Sequence, residues 1–203
     1  MTRERVQRLL LNAGLVVLFA TFAYANLLRW RETGHPVGLG LVLVEGMTAL
    51  LFIVRHPSQQ TSRRTLAWLA APVGAFAMLL ARPVAHPDAG PLAVFEILQL
   101  VGLAIALVGL GFLGRSFGIV AALRRVKTSG VYGLVRHPIY AAYLLTCTGY
   151  VLENMSAQNV ALLALSTAGQ LARIAEEERV LVGDPDYRAY RLRVRYRLIP
   201  FVY

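Results

Sequence analysis

The sequence predicts an all-α integral membrane protein, a polytopic bundle with about six transmembrane segments that closes in a C-terminal helical hairpin. Composition, the spacing of apolar stretches and the placement of arginines predict it. Of 203 residues, 57 % are hydrophobic and 16 % charged. A soluble domain carries about 45–50 % apolar and about 25 % charged residues, so this surplus needs a solvent other than water. Cys147 is the one cysteine, which excludes an internal disulfide and a cysteine-rich zinc site. His35, His56, His86 and His137 lie apart, and no metal site is expected.

Six apolar stretches follow one another: Leu9–Leu28, Val37–Val54, Leu66–Ala81, Pro91–Leu113, Ile139–Leu152 and Ser156–Ala172. A helix needs about 20 residues at about 1.5 Å each to cross the hydrocarbon core. The first, second and fourth stretches meet that length. No small-residue cleavage site follows the first, so it reads as a span and not as a cleaved signal. The third is shorter and contains Pro72. The last two are shorter again, and only Glu153, Asn154 and Met155 part them, which predicts a tight hairpin. No β-barrel alternation appears, and lipid leaves helices as the remaining way across. The whole chain, 1–203, reads as one membrane domain, with N-terminal helices over 1–99.

The net charge of +10 is not spread as in a nucleic-acid binder. If the N-terminus is cytoplasmic and all six stretches cross, segments 1–8, 55–65, 114–138 and 173–203 share one side. They hold 18 of the 21 Lys and Arg residues. Only Arg29, Arg31 and Arg82 fall opposite. The positive-inside rule then places both termini in the cytoplasm. No nucleic-acid partner is expected; the bilayer is. Arginine outnumbers lysine twenty to one, a bias expected of a GC-rich bacterial genome and hence of a bacterial cytoplasmic membrane.

Chemistry gathers in the second half. In Arg136-His137-Pro138-Ile139-Tyr140, Pro138 suits a first helical turn and puts His137 at the N-cap. The free N–H groups and positive dipole of such a terminus suit a carboxylate. Anchoring the helix at the interface is the competing explanation. In Arg173-Ile174-Ala175-Glu176-Glu177-Glu178-Arg179, Arg173 and Glu177 share a helix face. Glu176 and Glu178 each stand about 100° from Glu177, so the three acids cannot do one job. An acid there suits an amino group, and the arginine one turn deeper suits an anionic group. An interfacial Arg–Glu pair is the competing explanation. Gly111, Gly114 and Gly118 are expected to let helices approach closely, with a role in lining a cofactor pocket as the sharper alternative. Glu45 and Glu96 are candidates because bare charge in a span is costly.

In this order the segments resemble the isoprenylcysteine carboxyl methyltransferase family, with phosphatidylethanolamine N-methyltransferase in the same broad group. The matching residues are Ser129-Gly130-x-Tyr132, Arg136-His137-Pro138-x-Tyr140, Glu177-Glu178-x-x-Leu181, Asp184-Pro185-x-Tyr187-x-x-Tyr190 and Pro200. The resemblance spans roughly residues 100–203. It implies an S-adenosylmethionine-dependent methyltransferase with a cytoplasmic cofactor pocket, releasing S-adenosylhomocysteine. Carried over, the cofactor contacts fall at Phe117, on Arg124, Arg125, Val126 and Lys127, at Tyr132, along His137, Pro138, Ile139 and Tyr140, and at Glu177 and Glu178. Arg173 takes the catalytic, substrate-facing place. The implied acceptor is a lipophilic small molecule or lipidated substrate, such as an isoprenylcysteine-like carboxylate. Gly133 stands where many bacterial relatives carry arginine. The rival reading is a non-enzymatic transporter subunit or scaffold, but polar clusters on one membrane face, without repeated halves, favour an enzyme.

Overall fold

In lipid, every backbone N–H and C=O must find its partner inside the protein, and the apolar stretches do so as helices. The computed structural model describes residues 3–56, 60–62, 64–84, 93–120, 122–123 and 126–203. Its helices are α1 (Arg3–Thr33), α2 (Pro36–Val54), α3 (Thr65–Phe76), α4 (Ala93–Leu113), α5 (Pro138–Glu153), α6 (Ala157–Leu181) and α7 (Pro185–Arg193). Among the described residues, three stretches are long and apolar enough to cross a membrane: Leu9–Thr33, Pro36–Val54 and Ala93–Ser116. Pro72 lies inside α3, which tightens into a 3-10 turn over Ala77–Leu80. Among the described residues, a two-residue antiparallel ladder, Gln60–Thr61 (β1) with Ala122–Leu123 (β2), departs from the all-helical expectation. It joins the 55–65 and 114–138 segments, which the arginine count assigns to one face. The backbone bond from His56 N to Arg115 O, 2.8 Å, joins the same two segments.

The expected hairpin forms, with α5 and α6 flanking Asn154–Ser156. Ser156 caps α6 by accepting from Asn159 N. Asn159, fully buried, spans the turn: its Nδ2 donates to Asn154 O at 2.7 Å and to Arg82 O at 2.8 Å. Past that turn the two arms diverge. α5 packs mainly on α4, and α6 mainly on α3. Glycines explain both choices. A Cβ on Gly102 of α4 would sit 2.8 Å from Ala142 O, and one on Gly149 of α5 would sit 2.9 Å from Phe95 O. A Cβ on Gly169 of α6 would lie 2.6 Å from Gly74 N of α3, where Ser166 Oγ also donates to Gly74 O at 3.1 Å. At these two contacts the close approach uses glycines other than Gly111 and Gly114. Gly111 meets only Met47 Cε at 3.8 Å, while Gly114 has open space and takes φ +51, ending α4.

Candidate active site

Two diverging helix pairs leave a gap between them. α1 and α2 close its side, and a cavity of about 390 Å³ fills it. Most of its wall is apolar, supplied by residues such as Phe19, Phe22, Leu41, Val44, Leu103 and Ala106. One end is polar. There the start of α5, the 116–120 segment and the far half of α6 meet, bringing together Ser116, Tyr132, Arg136, His137, Tyr140, Arg173 and Glu177.

Each acid of the Glu176–Glu178 run has its own partners, as the helical angle requires. Glu176 is 1 % exposed, and its Oε1 lies 2.6 Å from Arg179 Nη1 and 3.3 Å from Arg64 Nη1, tying α6 to the start of α3. Glu177 faces the cavity, where Tyr140 Oη donates to its Oε2 at 2.6 Å. Glu178 points the other way. Its Oε1 accepts from Arg136 Nε at 2.8 Å and Nη2 at 2.7 Å, with His137 Nε2 at 3.2 Å; its Oε2 accepts from Arg197 Nε at 3.1 Å and Nη2 at 2.9 Å. Burial pulls the Glu178 carboxyl up, but the bonds from His137, Arg197 and Arg136 outweigh it and hold the group well below the usual carboxylate range.

His137 is the N-cap of α5 with Pro138 at the first helical position, as the sequence predicts. No side chain caps that terminus, so its first-turn N–H groups are those a helix leaves unpaired. The His137 ring stands edge-on to Tyr140 at 5.5 Å. A strap from the C-terminal segment holds this strip in place: Arg136 N donates to Tyr196 O at 2.9 Å and His137 N to Arg197 O at 2.8 Å. Below it, Tyr132, Tyr187, Tyr190 and Val194 form a buried cluster, with Tyr190 Oη donating to Tyr132 O at 2.7 Å. Burial, with Glu177, Tyr190 and Tyr140 adding to it, pushes the Tyr132 hydroxyl far above its usual range, so it remains a protonated donor.

Arg173 reaches across the polar end. Its Nη1 donates to Gln170 Oε1 at 2.9 Å, its Nη2 to Ile119 O at 3.0 Å, and its guanidinium lies 4.9 Å from the Tyr140 ring centroid. The Nε is buried with no hydrogen-bond partner among the described residues. Phe117 lines the same end and packs edge-on against Phe52, centroids 5.2 Å apart.

Of the residues singled out in the sequence, Phe117, Tyr132, His137, Ile139, Tyr140, Arg173 and Glu177 line the cavity. Pro138 is buried behind them, Val126 packs into the tyrosine cluster, and Lys127 does not line the cavity. Glu178 is turned from the cavity into its arginine clamp, and Arg124 and Arg125 lie outside the described residues. Arg136, Gln170 and the Ile119 carbonyl join the site without having been singled out for it. Gln170 was legible as a polar side chain one turn before Arg173; the carbonyl carries no sequence signal. Glu45 finds a partner on α1, where Asn26 Nδ2 donates to its Oε2 at 3.0 Å, and lines the cavity wall. Glu96 Oε1 lies 3.8 Å from His35 Nδ1 beside the start of α4.

No curated protein matches the chain significantly. Residues 91–183 match the model of the phospholipid methyltransferase family, a stretch that takes in α4, α5, α6 and every cavity-lining residue at the polar end. That stretch is similar to the membrane methyltransferase domains of the group that unites phospholipid and isoprenylcysteine carboxyl methyltransferases.

Proposed function

We propose that the chain moves a methyl group from S-adenosylmethionine to a lipophilic acceptor, with both held in the cavity between the helix pairs. The observation that carries this reading is a largely apolar cavity whose lining brings Glu177, Tyr140, His137 and Arg173 together. The residues present fit a zwitterionic cofactor. Glu177, already oriented by Tyr140 Oη, would accept from an amino group, and the uncapped first turn of α5 would face a carboxylate. Phe117 and Tyr132 would supply ring faces beside them. The cofactor brings a sulfonium-bound methyl group that is already an activated electrophile. The protein's work is then alignment and exclusion of water, for which a fixed polar end and apolar walls are suited.

Arg173 acts as the substrate-orienting residue in this reading. Two of its nitrogens are fixed on Gln170 and Ile119, which sets the guanidinium plane, and the unpaired Nε leaves one buried donor for an anionic group of the acceptor, such as a carboxylate. The apolar walls would take the acceptor's hydrocarbon part, so a lipid or lipidated molecule fits better than a soluble one. The site end is taken as cytoplasmic, following the arginine count. Vesicles containing the protein, incubated with S-adenosylmethionine tritiated in its methyl group and with bacterial lipid extract, test the reading. Label should pass into the organic-soluble fraction and depend on Arg173. Label confined to the aqueous phase across lipid and lipidated acceptors would count against it.

A further inference from the structure

A second surface lies outside the cavity. Residues 185–203 carry Arg188, Arg191, Arg193, Arg195 and Arg197 against the single acid Asp186. Arg197 is spent on Glu178, with Nη2 at 2.9 Å. Arg191 and Arg195 are exposed and, among the described residues, their guanidiniums make no hydrogen bond or ion pair; they border an open hollow with Val202 and Tyr203. Large apolar side chains stand among them. Leu192 is 81 % exposed, Phe201 87 % and Val202 76 %.

The backbone enforces that display. Arg197 N, Leu198 N and Ile199 N all donate to Tyr203 O, at 2.9, 2.7 and 3.0 Å, folding the segment into a tight turn. Phe201 sits at the turn with φ 67, the one non-glycine in the left-handed region among the described residues. An aromatic residue there is unfavourable, and such strain persists where the surroundings fix it. Water does not reward a fold that holds phenylalanine and valine outward beside unpaired arginines. A headgroup interface rewards both, since guanidinium groups bind phosphate oxygens and the apolar side chains enter the acyl boundary.

We infer that residues 188–203 are an interfacial foot, docking Arg191 and Arg195 on the anionic phospholipid headgroups of the bilayer the chain spans, with Phe201 and Val202 inserted beside them. The inference needs only the membrane setting and is independent of methyl transfer. It also ties bilayer composition to the site, because the same segment supplies the carbonyls that hold Arg136 N and His137 N.

The test uses full-length protein in lipid nanodiscs with Val202→Cys carrying bimane, Cys147 being buried and left in place. Discs contain phosphatidylcholine alone or with phosphatidylglycerol added. Adding the anionic lipid should shield the label from iodide and expose it to quenching by a headgroup-nitroxide lipid. Combining Arg191→Gln and Arg195→Gln should undo this, each arginine changing the docked ratio by about fivefold. A Leu192→Cys reporter repeats the measurement if the first label disturbs the turn. Equal iodide access in both discs without nitroxide quenching would overturn the inference. So would a label shielded in phosphatidylcholine alone and untouched by the nitroxide, which would mean that protein covers the surface, or one shielded only by an added oligonucleotide.

Discussion

Arg173 and Glu177 sit four residues apart on one helix and divide the polar end between them, one with a free buried donor and one with a carboxylate already oriented by a tyrosine. Arg173→Ala is expected to lower methyl-transfer turnover by about a hundredfold or more while leaving S-adenosylhomocysteine affinity within about twofold. Arg173→Lys should recover little, because an ammonium cannot reproduce a planar fork held on both Gln170 and Ile119. Parallel losses of affinity and turnover in Arg173→Ala would remove it from the acceptor side. At this scale the sequence was readable where a single helix sets the geometry: the separate fates of Glu176, Glu177 and Glu178 follow from about 100° per residue. It was unreadable where a partner comes from elsewhere in the chain. Nothing local to Glu45 announces Asn26 of α1, and nothing local to Glu178 announces Arg197, on the strap beyond α7.

The helices meet through two glycine seams, and the seams decide where the cavity lies. With α5 drawn onto α4 and α6 onto α3, the hairpin opens past its own turn. Gly102→Val is expected to force α5 off α4, since even its Cβ would lie 2.8 Å from both Ala142 O and Thr146 N. The destabilisation should be about 1–3 kcal/mol, seen as a lower melting temperature in detergent. Gly111→Ala, whose Cβ would touch only Met47 at 3.8 Å, should leave melting nearly unchanged, and similar losses in both would refute the seam assignment. Helix positions, the Ser156 turn and the His137–Pro138 start follow from apolar length and capping chemistry in the sequence. The seam does not, because Gly102, Gly109 and Gly111 share one helix and spacing alone cannot say which of them faces a neighbour.

Across the whole molecule, the polar end is braced from behind by charge. Glu178 binds Arg136, His137 and Arg197, joining α6, the start of α5 and the C-terminal strap. Its acidity is raised in the folded protein, so its contribution to stability is fully present above its ordinary value of 4.5 and is lost as pH falls through and below that value. Melting temperature in detergent should therefore change little through this group between pH 7 and pH 5, then fall in more acidic solution. Glu178→Gln should remove that acid-dependent step and destabilise by about 3–5 kcal/mol at neutral pH, because it leaves buried Arg136 without its counter-charge. An unaltered acid profile in the variant would assign the brace elsewhere. The central claim is that the strip at the start of α5 and the acid strip of α6 together make a cofactor site. Calorimetric titration of S-adenosylhomocysteine into the detergent-solubilised protein and its Glu177→Gln variant tests it most directly. Saturable one-site binding weakened about tenfold or more in the variant is predicted; a folded protein that binds nothing, or a variant that binds equally well, would contradict it.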